Sequence, residues 1–460
     1  MDYDVLIIGA GLSGIAAGIR LAHFGKRVCI VERHRLPGGM NSYYRRRGRA
    51  IDVGLHALTN CAPPGEKSAP LNRLMRQLRL SRADLELCPQ TWSDTRTPAA
   101  TLRFANGIAE LEASVAAAFP GEIDGFRRLV EEVRGRDSLA LNLQPQSARQ
   151  ALVEFIREPA LCDLLLMPLM FYGNATPHDM DYNQFCILFQ SLYLEGFCRP
   201  RLGMAQVLKL LLARYEEGAG ELRLGCGVAS LEHDGRRVTG VCLDDGTRLT
   251  APAVLSCAGR CETQALCQPA VPGETPAVPG ELGYVETLLF LDRPPRELGL
   301  DGCVHFISET PVFHYARPAV PVDLRSMVLC CPGNYIGCEG GYADRQIRLT
   351  HLADGAFWLA ADTAAYAGTK AAVVESQIGW LDQRWPGVRK AVQEWEMFTP
   401  RTIRRYTGHA NGAIYGSPEK RRDGTTGLEN LFLCGTDQGF LGIVGSLLSG
   451  VSIANAHLLR

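Results

Sequence analysis

The chain lacks a dominant charge: 48 lysines and arginines nearly cancel 49 aspartates and glutamates over 460 residues. Such a balance gives no global field to attract a polyanion, so nucleic acid is not an expected partner and a small, neutral or apolar substrate is favoured. No run of about 18 apolar residues occurs, and a transmembrane helix is not expected. Peripheral contact with a membrane stays open. Met1, Asp2, Tyr3 and Asp4 put no basic run ahead of the first apolar stretch, so a cleaved secretory leader is not expected either. The sixteen cysteines form no CxxC pair and no zinc-type spacing with histidine; Cys330 and Cys331 are merely adjacent. They read as small buried hydrophobes of a reduced, cytoplasmic protein, with no metal site. Repeats, low-complexity segments, paired carboxylates and a Ser/His/Asp order are likewise missing.

What is present is 46% hydrophobic residues, enough to bury one large core or two domains sharing an interface. The stretch DVLIIGAGLSGIAAGIRLAHFGKRVCIVE carries the chemistry. Val5 to Ile8 is a short continuous apolar run, as in a parallel strand covered on both faces. Gly9 then permits a tight turn, Gly11 lets the backbone approach a pyrophosphate, and Gly14 lets the next helix pack on the strand. That helix ends at Gly25 and offers its positive N-terminus to a phosphate. A second strand, VCIVE, ends at Glu32, whose carboxylate can accept from both ribose hydroxyls and would repel a 2′-phosphate. Strand, glycines, helix, strand and acid in this order specify a dinucleotide site.

A second glycine pair, Gly38-Gly39, comes six residues after Glu32 and is followed by MNSYYRRRGRAIDVGLH. Glu32, Gly38-Gly39, Ser42, Gly48, Asp52 and Gly54 resemble the pattern of FAD-dependent oxidoreductases that include phytoene desaturases, carotenoid isomerases, retinol saturases and, more distantly, amine oxidases. The C-terminal NLFLCGTDQGFLGIVGSLLSGVSIANAHLL reads as a strand ending at Gly435, a turn through Asp437 and a helix from near Gly442. It resembles the closing flavin motif of that family. The resemblance implies FAD, with Asp437 at its ribityl and phosphate region and the backbone of Gly442, Ile443 and Val444 near the ring. It also places Val228 against the adenine and Met40 beside the second glycine pair, where many relatives have small residues or arginine. Looser likeness runs through Pro400, Tyr406, Gly412, Tyr415 and Gly416. Pro200, Arg201, Leu202 and Gly203 depart from the proline and glycine pair usual in desaturases, which leaves the subfamily open.

The expected fold is α/β, with a Rossmann-type FAD-binding domain assembled from residues 1–60, 201–264 and 401–460. A second, mixed α+β substrate domain takes residues 61–200, read as mainly helical, and 265–400. Asp234-Gly235 and Asp245-Gly246 are hairpin turns by their sequence. Two apolar stretches, ALCDLLLMPLMFYG and FCILFQSLYLEGF, read first as buried helices and second as a substrate tunnel or membrane-facing patch. Arg45, Arg46, Arg47 and Arg49 read as a solvated loop, with phosphate or anionic lipid as the alternative. His56 is the one side-chain candidate for catalysis, and the flavin is the expected reactive group. The resemblance implies redox or isomerising action on a hydrophobic isoprenoid-type alkene. An amine-oxidase-like enzyme is one rival; a non-catalytic carrier of the Rab GDP-dissociation-inhibitor type is the other.

Overall fold

A computed structural model describes residues 3–459. Five parallel strands form one sheet in the order Leu431–Leu433, Ala253–Ser256, Val5–Ile8, Val28–Glu32, Glu221–Leu224. Three distant segments of chain thus contribute to a single sheet. Val5–Ile8 lies at its centre and is buried throughout, which is why the sequence shows an unbroken apolar run rather than alternation. The helix Leu12–His23 comes next, and Gly442–Ile453 packs on it so closely that a Cβ on Gly450 would lie 2.0 Å from the Ser13 carbonyl oxygen. Asp234-Gly235 and Asp245-Gly246 join the antiparallel strands Val228–His233, Val238–Leu243 and Arg248–Leu249, with Gly235 and Gly246 at positive φ.

The second sheet has seven strands in the order Val392–Phe398, Leu282–Leu291, Gln346–Asp354, Ser326–Cys330, Val304–Ser308, Ser93–Arg96, Thr101–Phe104. All neighbours are antiparallel except Val304–Ser308 with Ser93–Arg96. Two of these strands fall in the segment read as mainly helical. SDTR contains no apolar residue to betray a strand, and it is buried because Asp94 pairs with His305 at 2.8 Å. That segment also holds the short antiparallel pair Leu87–Pro89 and Cys198–Pro200, its other regular elements are helical, and Pro120–Glu122 forms a short turn between Ala109–Ala118 and Ile123–Gly135.

Pro159–Gly173 and Tyr182–Phe189 hold the two apolar stretches and belong to the main core of this half, where Met167 and Met170 are fully buried. A membrane-facing role for these helices is thereby corrected: their apolar surface is spent on internal packing. Among the described residues no helix is long and apolar enough to cross a membrane, and no cluster of histidine, cysteine or acid could hold a metal.

His351 on Gln346–Asp354 makes stability depend on pH. It is fully buried, and its Nδ1 lies 2.9 Å from the Ser326 carbonyl and 3.2 Å from that of Asp323. Nδ1 is therefore the donor, and the buried Nε2 has no partner for a second proton. Burial depresses its pKa to about 4, outweighing those carbonyls. The unfolded chain, near 6.5, binds the proton first, so this stabilisation is complete above pH ~6.5 and is lost as pH falls towards 4. Urea denaturation at pH 5 should show a loss of about 2 kcal/mol relative to pH 7.5, absent from His351→Asn. An equal loss in the variant would assign the effect elsewhere.

Candidate active site

At the carboxyl ends of the parallel strands lies a cavity of about 990 Å³ lined by both glycine clusters. Gly9 has φ +99°, and a Cβ there would lie 2.9 Å from Cys257 Sγ; one on Gly14 would lie 2.2 Å from the Gly9 oxygen. A Cβ on Gly11 would meet nothing within 4 Å, so its backbone borders open space. The two clusters also engage each other: Gly38 N donates to the Ala10 carbonyl at 2.7 Å, and Gly11 and Gly38 form a parallel bridge. Gly38 and Gly39 both have positive φ.

Glu32 lines the same cavity, held by the backbone N–H of Ala10 on Oε2 and of His34 on Oε1, each at 2.8 Å. Each carboxylate oxygen can accept more than one hydrogen bond, so a ribose diol is still accommodated. Val228, Met40 and Gly435 line the cavity too. Arg46 reaches it from the hairpin Tyr43–Arg46/Arg49–Asp52 and pairs with Glu396, while Arg47 and Arg49 pair with Glu394. Three of the four arginines in the run are thus paired on this hairpin, and Arg45 is exposed.

Asp437, expected at the ribityl and phosphate region, does not itself line the cavity. Its carboxylate is buried, with Oδ2 accepting from Arg260 N at 2.6 Å and Oδ1 from Ser417 N at 2.8 Å and Lys420 Nζ at 3.4 Å. Asp437 ties the turn to its neighbours from behind, and Thr436, one residue earlier, faces the cavity. Successive residues of a tight turn point in different directions, so an offset of one position exchanges the inward group. Gly442, Ile443 and Val444 begin the last helix but do not line the cavity; Ile443 and Val444 are buried. Gly442 has φ +75° with no atom within 4 Å of a Cβ position, and Leu441 gives the helix no side-chain cap. Its first N–H groups retain their partial positive charge for an incoming anionic group.

Sequence reasoning missed the charged residues beneath DVGLH. Arg199 and Arg348, each 1% exposed, come from Cys198–Pro200 and Gln346–Asp354. Arg199 donates to Asp52 Oδ2 at 2.6 Å and to the carbonyls of Leu55 at 2.8 Å and His56 at 3.2 Å. Arg348 donates to the carbonyls of Asp52 at 3.1 Å and Val53 at 2.9 Å and pairs with Glu286. Gly203, the one glycine of the stretch Pro200, Arg201, Leu202, Gly203 that departs from the desaturase pattern, has φ +67°, and a Cβ there would strike Tyr342 and Asp52. His56 Nε2 lies 3.2 Å from Glu286 Oε1 and 3.3 Å from Thr350 Oγ1. Burial raises the Glu286 carboxyl, but the charges of Arg348 and His56 outweigh it and hold it below its ordinary value. The only local signal was alternation in QIRLTHLAD, which puts Arg348 and Thr350 on the face opposite Ile347 and Leu349.

A dinucleotide cradle, a fixed ribose acceptor and an uncapped helix terminus fit a flavin adenine dinucleotide, and the comparisons with known proteins agree. The model of the flavin-containing amine oxidoreductases matches residues 12–287. The chain belongs to that family. Prolycopene isomerase of Daucus carota is 22% identical across 99% of this chain and 80% of its own length. The lycopene-forming phytoene desaturase of Paracoccus sp. is 25% identical across 55% of this chain and 54% of its own. An oxidoreductase structure from Methanosarcina mazei superposes with a TM-score of 0.66 at 16% identity, covering 98% of this chain and 99% of that one, which shows the shared fold. The cofactor of this family member is FAD, and the protein is a flavin oxidoreductase.

Proposed function

We propose that the protein acts on a hydrophobic alkene of the isoprenoid or carotenoid type. The observation that carries this reading is the wall opposite the last helix. Leu441, just before Gly442, packs against Gly173 and faces the helix Pro159–Gly173, whose interior is leucine, methionine and phenylalanine. Beside it Phe171, Tyr284 and Tyr415 form an aromatic cluster, and the Tyr415 hydroxyl donates to the Phe171 carbonyl at 2.5 Å. Such packing excludes water, and the one acid on that helix, Asp163, is already paired with Arg149 and accepts from Phe313 N, so it is not free to hold an ammonium group. Bound FAD supplies hydride donor or acceptor chemistry. The chain's part is to seat the dinucleotide on Gly11 and Glu32, to leave the first N–H groups of Gly442–Ile453 without a side-chain cap, and to keep His56 against Glu286. Leu36, Trp395 and Tyr406 are exposed where the cavity opens beside Arg46, which supports contact with the bilayer that would hold such a substrate; flotation with neutral and anionic vesicles reads this directly.

The test is anaerobic incubation of the FAD-loaded protein, oxidised and chemically reduced, with detergent-solubilised polyenes, following the polyene spectrum. A shift or bleaching of the polyene band is expected, and aliphatic amines should not reduce the flavin. Amine-driven flavin reduction without polyene turnover would instead favour an amine oxidase. General acid or base catalysis contributes roughly 10²- to 10⁴-fold, so His56→Ala should slow polyene turnover by less than about tenfold if the flavin and helix terminus carry the step. A loss of about 10² or more would give His56 the proton-transfer role.

A further inference from the structure

Beneath the pyrophosphate turn sit two cysteines that the flavin chemistry does not use. Ala253–Ser256 and Leu431–Leu433 run parallel with Ser256 opposite Leu433, so the next residues, Cys257 and Cys434, stand opposite each other at the strand ends. Cys434 N donates to the Ser256 carbonyl at 2.9 Å, which keeps this register one step past the strands. Neighbouring strands lie about 4.8 Å apart, inside the Cα separation of about 4.4–6.8 Å that a disulfide spans. Both cysteines are free thiols on adjacent strand ends. Their exposures differ: Cys434 is 2% exposed, while Cys257 is half-buried and lines the FAD cavity.

Cys257 is also built into the cradle. Its Sγ lies 2.9 Å from the carbonyl oxygens of both Ile8 and Gly9 and fills the slot that the missing side chains of Gly9 and Gly14 leave. We infer that Cys257 and Cys434 are an oxidation site coupled to the cofactor: hydrogen peroxide entering the FAD-free cavity converts them to a disulfide that weakens FAD binding, and bound FAD protects them. The Cys257 thiolate attacks the peroxide, forming an S–O bond as the O–O bond breaks and water leaves after protonation. The Cys434 sulfur then attacks that sulfenic acid, forming the S–S bond and releasing a second water; two thiols lose two electrons and the peroxide gains them. To reach a bond length of about 2.05 Å, Cys257 Sγ must leave the glycine slot and give up its hydrogen bonds to Ile8 and Gly9, so the turn loses its support. Linkage makes the equilibrium effects reciprocal: the factor by which the disulfide weakens FAD binding is the factor by which bound FAD shifts the dithiol–disulfide equilibrium towards the dithiols.

The experiment treats the full chain with hydrogen peroxide, with and without FAD, and follows the Cys257–Cys434 peptide by mass spectrometry while FAD affinity is read by flavin fluorescence. At about 100 times Kd of FAD the cofactor-free fraction, and with it the crosslinking rate, should fall about 100-fold. The crosslinked protein should bind FAD more weakly until dithiothreitol restores it. In Cys434→Ser no disulfide should form, and a cyclic 1,3-dione should instead trap sulfenic acid on Cys257. Oxidation of other cysteines with no Cys257–Cys434 peptide, or crosslinking at one rate with and without FAD, overturns the inference. Because the peptide is detected whether or not FAD binds, a protein that takes up no FAD would refute the cofactor assignment separately.

Discussion

Glu32→Ala is expected to leave purification colourless. The carboxylate meets the Ala10 and His34 N–H groups at 2.8 Å and faces the cavity, so its loss removes the ribose acceptor and leaves two backbone donors unpaired at the turn. Hydrogen bonds to a charged group contribute roughly 1.5–3 kcal/mol each, which puts the loss for two ribose hydroxyls at about 3 kcal/mol or more, on the order of a hundredfold in Kd. Flavin absorbance after dialysis and fluorescence titration of the stripped protein measure this, with circular dichroism to confirm that the variant is folded. Glu32→Gln keeps one acceptor and should fall between. Undiminished occupancy in Glu32→Ala would count against the placement of the adenosine ribose at Glu32.

Arg199→Met should give the largest loss of stability. Removing the guanidinium strands the buried Asp52 carboxylate and frees the Leu55 and His56 carbonyls. Removing one partner of a buried ion pair costs about 3–5 kcal/mol, because the remaining charge has neither water nor counterion. Burial alone would lower the Arg199 pKa; Tyr342 and Asp52 outweigh it and hold the guanidinium charged. Adding Asp52→Asn to Arg199→Met should recover part of the loss in urea denaturation, since the stranded charge is then gone. FAD retention should weaken in Arg199→Met as well, because DVGLH is no longer clamped. A loss below about 1 kcal/mol would show that the pair contributes no more than an exposed one.

These expectations draw on different levels of the molecule. Val5–Ile8, the glycine turn, Leu12–His23 and Glu32 are contiguous, and each owes its conformation to near neighbours: apolar continuity for the buried strand, missing side chains for the turn, helical spacing for Leu12–His23. The two Asp-Gly hairpins and the apolar helix Pro159–Gly173 were legible for the same reason. Ser93–Arg96 was not, because it has no apolar residue to mark a strand and, beside its hairpin partner Thr101–Phe104, it is buried against a strand over 200 residues away where Asp94 meets His305.

The site divides in the same way. By itself the sequence determined a dinucleotide cradle with a ribose acceptor, since strand, turn, helix and acid lie within one short run whose steric demands are local. Only the tertiary structure decided that Thr436 and not Asp437 faces the cavity, that Arg199 and Arg348 lie under a loop 147 and 296 residues away in sequence, and that Cys257 and Cys434 stand at adjacent strand ends beneath Gly9. Charge and thiol chemistry take their function from what surrounds them after burial, and residue spacing along an unfolded chain carries no information about which distant groups will share that interior.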